Sequence, residues 1–431
     1  MSYTKFKESG TSLCWWANIN YPVDVKTNII KLLFTKEGLQ MNTARYNIGG
    51  GFNKDVPQKM RLGGLMPCIL NPPPGLLPST TGTFSSNLQN YNIENDKNQI
   101  SMLDLAVKAG VTNVEIFSNS PPWWMTKSGY TNGSTKSFDC NLKLGYIEEF
   151  VDFLIMSYLI LSDRYPGVKF SIEPFNEPSN PFWKVGVEQE GCYFNYSIRN
   201  KIIKLIKQKK PSIFLSGVDE FSAGFALIWQ LFSCKQVDRV NLHSYNLKWK
   251  NITFYFDDLN IFRRLLRRTI KQDIIMSEYG WGYNNTLKDS LPLARHIFRD
   301  LDTLKPQGWI YWQVIEHTGS GNWGLMQADF NAPNEIFIKQ QFYILKHFTT
   351  LLLSGDEYRV VSPVLLEIVN SKQLKYIVLN DSDKVISCKL PKEASLDYVV
   401  SSTPEDTFSK LNILPSVYPA NSITSIVYNT I

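Results

Sequence analysis

Several features whose presence would have settled the class of this chain are missing. Its six cysteines, at 14, 68, 140, 192, 234 and 388, form no C-x-x-C pair and no Cys/His cluster, so no zinc site is indicated and one or two disulfides remain open. No apolar run approaches the eighteen or more residues of a membrane span. The opening MSYTKFKESG has no apolar core, so the chain reads as soluble and without a secretory signal peptide. There is no G-x-G-x-x-G turn for a dinucleotide, no low-complexity tract and no repeat of 20–50 residues. Charge is sparse and scattered, at a net +6. Its densest basic cluster, RRLLRR at 263–268, alternates arginine pairs with leucines, which fits a helix with a solvated face better than a nucleic-acid site. Neither a metal nor a cofactor is expected.

What is present is aromatic. The 431 residues include 11 Trp and 21 Tyr, flat rings that pack cores but also make platforms for sugar faces. At 43% hydrophobic, the chain can bury a large core and is expected to hold one large domain and a smaller one, as a monomer. Five Asn-x-Ser/Thr sequons, at Asn132, Asn195, Asn251, Asn284 and Asn380, suit a secreted glycoprotein but also arise by chance in an Asn-rich chain.

Short apolar runs alternate with helical patterns. Strands are expected at 11–16, 43–48, 113–117, 170–172, 213–216, 239–242, 273–277 and 309–312. Helices are expected between them and at 335–353. Eight strand–helix units make a (β/α)8 barrel, an α/β fold whose chemistry gathers where the strands end; a doubly wound open sheet is the runner-up. Residues 51–97 read as a long loop, of a length that is usually functional or disordered. After residue 353 the texture changes to short Val-, Ile- and Tyr-rich runs with turns between them, an antiparallel β-domain. The expected division is a barrel over 11–353 and a small β-sandwich over 354–431, with residues 1–10 able to complete it.

The strand ends carry Arg45 and Asn47, Asn119 with Trp123 and Trp124, Asn176 and Glu177, Asp219 and Glu220, His243 and Tyr245, Glu278 and Tyr279, then Trp312, Gln313 and Glu316. Two of them stand out. KFSIEPFNEP (169–178) delivers Glu177 from a buried strand into a proline-stiffened loop, and DIIMSEYG (273–280) repeats the plan with Glu278. Two carboxylates at strand exits, with an arginine, amides and aromatics around them, fit glycosidic bond cleavage. Blander readings remain for each residue singly: His243 as a core histidine, Trp312 as barrel packing, Trp123 and Trp124 as partly structural, Arg45 as the partner of an acid. Glu188, Glu190 and Cys192 are read as shaping their loop.

The stretches TSLCWWA (11–17), ARYNIGGG (44–51), SNSPPWWMTKSG (118–129), EPFNEP (173–178), QEGC (189–192), HSY (243–245), SEYG (277–280) and FYILKHFTTLLLSG (342–355) resemble glycoside hydrolase family 30. Within it, TSLCWWA and SNSPPWWMTKSG are most similar to the endo-β-1,6-galactanase-like branch. The resemblance implies Glu177 as acid/base, Glu278 as nucleophile, and Arg45, Asn176, His243, Tyr245 and Trp312 as substrate-binding residues, to which the strand-end reading adds Asn119 and Trp124. It also implies a polysaccharide or oligosaccharide substrate and a side β-sandwich completed by an N-terminal strand. Relatives are usually secreted, in contrast to the opening of this chain. The leading expectation is a retaining endo-hydrolase of a β-1,6-galactan-like glycan. β-1,6-Glucan, xylan or glucosylceramide are alternative substrates, and a silent carbohydrate-binding barrel is a reading of another class, against which the paired carboxylates argue. The two carboxyl groups should then lie roughly 5–5.5 Å apart. Arg45 should hold Glu278 ionised.

Overall fold

The structure, a computed structural model, describes residues 2–55, 58–74, 84–232, 236–245, 247–249, 252–254, 260–390 and 395–430. Its centre is a ring of eight parallel strands. In chain order these are β2 (Glu8–Ser12), β3 (Thr43–Asn47), β4 (Asn113–Phe117), β5 (Lys169–Glu173), β6 (Ser216–Glu220), β7 (Arg239–His243), β10 (Asp273–Tyr279) and β11 (Gly308–Gln313). The hydrogen-bonded order runs β5-β4-β3-β2-β11-β10-β7-β6, and a parallel bridge between Ile172 and Leu215 brings the two ends together. Outside lie helices α1 (Val23–Phe34), α2 (Lys97–Lys108), α3 (Ile147–Arg164), α4 (Tyr196–Lys209), α5 (Ala223–Phe232), α6 (Asn260–Thr269), α7 (Leu287–Thr303) and α8 (Gln340–Thr349). This is the (β/α)8 barrel, and α4 shows why such a sequence forms a helix. The buried residues of α4 are Ile198, Arg199, Ile202, Ile203 and Ile206, a helical stripe, and the Asn195 side chain caps its N-terminus.

Period-two alternation sorts each strand. On β4, Val114 and Ile116 belong to the apolar layer under the helices, while Glu115 and Phe117 face Arg45. The inside of the barrel is therefore polar. In its lower layer Glu115 accepts from Ser216 (2.8 Å), Asn241 (2.8 Å) and Arg239, and Arg239 also reaches Glu8 (2.9 Å).

After the barrel, β15 (Glu357–Ser362), β16 (Leu365–Val369), β17 (Gln373–Asn380), β18 (Ser395–Ser402), β19 (Ser409–Leu411) and β20 (Ser422–Asn429) form an antiparallel sheet. The N-terminal β1 (Thr4–Lys5) joins its edge against β15. Leu366, Ile368, Ile377 and Leu379 face the barrel core, while Leu365, Tyr376 and Val378 build a separate core on the far face. On that far face Ile386 and Tyr418 pair through a short antiparallel bridge.

The structure moves some expected boundaries. The first barrel strand is Glu8–Ser12, not 11–16, because Trp16 starts a 3-10 turn and its indole donates back to the Ser12 carbonyl (2.9 Å). The fifth is Ser216–Glu220, later than 213–216, with a register shift at Asp219. The last helix starts at Gln340, since Phe337–Ile338 forms β14 in a small sheet with β12 (Ile315–His317) and β13 (Met326–Ala328). A short hairpin, β8 (Leu247–Trp249) with β9 (Ile252–Phe254), follows β7 and was not expected. The arginine cluster is not a solvated face throughout: Arg263 is fully buried, bonded to Ser244, Thr303 and Asp300, while Arg264 stays half-exposed beside Asp302. Cys14, Cys68, Cys140, Cys192 and Cys388 are free thiols, and Cys234 lies outside the described residues. No helix among the described residues is long and apolar enough to cross a membrane.

Candidate active site

The strand exits are irregular where the site needs them to be. The register of β10 shifts between Met276 and Glu278 against β7, and that of β6 shifts between Val218 and Glu220. Bulges of this kind re-aim side chains at a barrel rim. Glu177 and Asp219 both take left-handed backbone, at φ 45° and 47°, a strain that only a tightly determined surrounding holds. That surrounding is visible. The Glu177 amide donates to the Asp219 carbonyl (2.8 Å), and the Glu177 carbonyl accepts from the Trp183 indole (2.9 Å). Gly191 leaves room for that indole; a Cβ there would sit 2.3 Å from its ring. Below, Glu220 accepts from Ser179 (2.7 Å) and Arg199 (2.6 Å), tying the Glu177 loop to α4 through a buried ion pair.

Arg45 is fully buried and fully used. It donates to Glu115 (2.8 Å), to Asp219 (2.8 Å) and to the Ser277 carbonyl (3.0 Å), and stands 3.5 Å from Glu278. His243 lies between the acids. Its Nδ1 is 3.0 Å from Glu177 Oε1 and 3.5 Å from Glu278 Oε1, and its Nε2 is 3.2 Å from Asp219 Oδ1. One donor atom from each of Glu177, His243 and Glu278 falls within 4.8 Å of the others. Tyr245 closes the ring, its hydroxyl 3.3 Å from Glu278 Oε1, and Asn180 donates to Glu177 Oε2 (2.6 Å).

The electrostatics follow from burial and partners. Burial works against a charged His243, but the carboxylates of Glu278 and Asp219 outweigh it and raise the imidazole well above its usual range, so it is an imidazolium. Burial also opposes the charge on Asp219, yet Arg45 and His243 together hold it below the usual carboxylate range. Glu278 differs from the expectation. Burial pushes it up to about 7, and the nearby Glu177 adds to this, against the downward pull of His243 and Arg45. Arg45 does not hold Glu278 fully ionised because its two short bonds to carboxylates go to Glu115 and Asp219. Three donors this close could in principle close on a cation. An imidazolium with carboxylates at both nitrogens, however, offers no lone pair to a metal.

Of the expected site residues, Arg45, Glu177, His243, Tyr245 and Glu278 thus meet in one network. Asn176 is buried beside them with its Oδ1 unpartnered, and Asn119 is buried with neither side-chain polar atom partnered. Trp312 stands edge-on to Trp15 (5.2 Å between centroids) and near Phe117, which lies under the Arg45 guanidinium. Trp124 packs into the main core, edge-on to Trp123. Glu190 shapes its loop, accepting from Asn47 (3.1 Å) and the Gly50 amide (2.9 Å). Glu316 is occupied by the amides of Trp323 (2.7 Å) and Gly324 (3.2 Å). The sequence reading missed the reach of Asp219, which joins Arg45, Ser277 (2.5 Å) and His243, and missed Glu115 entirely. A charge in the middle of NVEIF was the available signal.

A barrel with two buried carboxylates at the mouth and unpartnered amides nearby suits glycosidic bond cleavage, and the comparisons point the same way. Residues 80–239 match the family described as O-Glycosyl hydrolase family 30. The chain is 26% identical over 376 residues to an endo-β-1,6-galactanase of Hypocrea rufa, covering 80% of this chain and 72% of that one. It is 26% identical over 433 residues to an exo-β-1,6-galactobiohydrolase of Bifidobacterium longum subsp. longum, covering 75% of this chain and 28% of that much longer protein. Among solved structures, a conserved exported protein from Bacteroides fragilis superposes with a TM-score of 0.81 at 17% identity, covering 99% and 98% of the two chains. A family 30 subfamily 8 xylanase from Clostridium acetobutylicum does so at 0.71 and 14%, covering 99% and 97%. The chain is thus similar to glycoside hydrolase family 30, in sequence over residues 80–239 and in fold along its length.

Proposed function

We propose that this hydrolase cleaves β-1,6-galactan-like chains internally, with retention of anomeric configuration, through a covalent glycosyl-enzyme. The observation that carries the reading is the approach of the two carboxyls, with an oxygen of each within 4.8 Å of the other's. That spacing suits a sugar carbon between them; inverting pairs stand about 6.5–9.5 Å apart to hold a water. Glu278 attacks the anomeric carbon while Glu177 gives its proton to the departing oxygen, and Glu177 then draws a proton from the water that releases the sugar. His243 acts on both, donating from Nδ1 toward Glu177 and spreading positive charge over the pair. Asn119 and Asn176 offer their unpartnered polar atoms to substrate hydroxyls.

The galactan assignment is supported by the two relatives named for β-1,6-galactose linkages, one endo-acting and one exo-acting. Incubation with β-1,6-galactan, β-1,6-glucan, xylan and aryl β-glycosides, with product sizing and NMR of the first anomer released, tests substrate, mode and stereochemistry together. A ladder of β-configured oligomers from galactan alone is the expected result. Release of α-anomers would overturn retention, and release of a single short product from the first time point would overturn internal cleavage.

A further inference from the structure

Past Glu278 the rim of the barrel carries a run of rings that the reaction at the two carboxylates does not require. Tyr245, whose hydroxyl touches Glu278, has its ring 6.1 Å from Trp323, and Trp323 lies 5.7 Å from Trp281. The first two rings are pinned. Tyr245 stacks on Tyr279 at 5.7 Å. The amide of Trp323 donates to Glu316 (2.7 Å) and its carbonyl accepts from the Tyr311 hydroxyl. Trp281, at the outer end, is 38% exposed. It also borders a 340 Å³ cavity against α7, lined by Tyr245, Tyr279, His296 and Arg299 but not by Trp323 or Glu278.

We infer that Trp323 and Trp281 form a sugar-binding wall for at least one hexopyranose beyond the residue held over Glu278, so that the enzyme recognises a chain rather than a terminal sugar. The inference deepens the proposed function and rests on the reading of Glu278 as the nucleophile. The apolar face of a β-linked hexose lies flat on an indole. An anchored inner ring followed by an exposed outer one matches a chain leaving the mouth into solvent.

The test is calorimetry on the full chain carrying Glu278→Gln, so that ligands are not consumed, with β-1,6-galacto-, β-1,6-gluco- and xylo-oligosaccharides of two to six units. In whichever series binds, affinity should rise about tenfold as units are added beyond the second, the scale of one or two stacked rings. Adding Trp281→Ala should remove most of that rise, and Trp281→Phe should restore part of it. A rise that is absent, or that survives Trp281→Ala, overturns the wall, as does failure of all three series to bind. Binding confined to the gluco- or xylo-series, with the rise still dependent on Trp281, supports the wall and overturns only the galactan assignment.

Discussion

The barrel mouth and the seam between barrel and side sheet each bury a histidine, in opposite ways. At the seam, His347 on α8 is fully buried, with one ring nitrogen 2.8 Å from Ser425 Oγ and the other 2.9 Å from Ser402 Oγ. Burial and the neighbouring Lys346 depress it to about 3, so it is neutral. At the mouth, His243 is equally buried but charged, because it faces Asp219, Glu177 and Glu278. His347 thus meets only neutral hydroxyls, one at each ring nitrogen. The mouth concentrates charge of both signs, keeps left-handed backbone at Glu177 and Asp219, and leaves Asn119 and Asn176 with free atoms. Burial by itself therefore does not mark a functional histidine; the charge of its neighbours does.

The largest expected effect would come from emptying the mouth. Glu278→Ala should lower turnover by at least about 10⁴-fold and abolish the glycosyl-enzyme seen by mass spectrometry. Added azide should restore turnover with the product's anomeric configuration reversed. Labelling of Glu316 or Glu220 by a fluoroglycoside would contradict the assignment, and both already have partners within 2.7 Å.

Glu177→Gln should slow galactan hydrolysis about 10²- to 10⁴-fold, the range of a lost general acid, yet largely spare aryl glycosides with activated leaving groups. Equal losses on both substrates would remove Glu177 from the acid role.

The pH profile tests the contrast between the two histidines directly. Because Glu278 must be ionised to attack and burial holds it at about 7, kcat/KM should rise with pH through a midpoint near 7 rather than near the usual carboxylate value. His243 lowers Glu278, so His243→Gln should move that midpoint upward. A midpoint that stays put would mean that no imidazolium sits between the acids.

The seam gives the smallest effect, and on stability rather than rate. A histidine depressed when folded contributes stability that is complete above its unfolded value of about 6.5 and is lost as pH falls toward about 3, at roughly 1.4 kcal/mol per pH unit at most. His296, also depressed to about 3 by burial, acts in the same window. Thermal melts should therefore fall between pH 6.5 and 4, and His347→Gln should flatten part of that slope.

Much of this was legible in the sequence, for a physical reason. Strands such as NVEIF and helices such as YSIRNKIIKLIKQK carry their own periodicity, and Glu177 and Glu278 are announced by the apolar runs that deliver them. What was hidden depended on contacts between distant strands. Asp219 becomes a hub only when β3, β7 and β10 bring Arg45, His243 and Ser277 to it. The state of Glu278 likewise turns on how Arg45 divides its bonds, which no local pattern records. The strand 213–216 slipped for the same reason, since its register is set by pairing with β7 and by the left-handed turn at Asp219.

The first strands of the chain have their neighbours at its far end. Lys5 pairs with Glu357 and Glu8 with Gly308, so roughly 300 to 350 residues must be made before either contact can exist, a separation that slows folding. On a ribosome that wait is on the order of tens of seconds, during which β2 has one edge unpaired. The barrel can seal only after α7 has emerged, and the side sheet gains its edge strand later still. Nascent chains stalled before residue 308 should accordingly stay open to protease and engage chaperones, while the same segments in the finished protein resist cleavage.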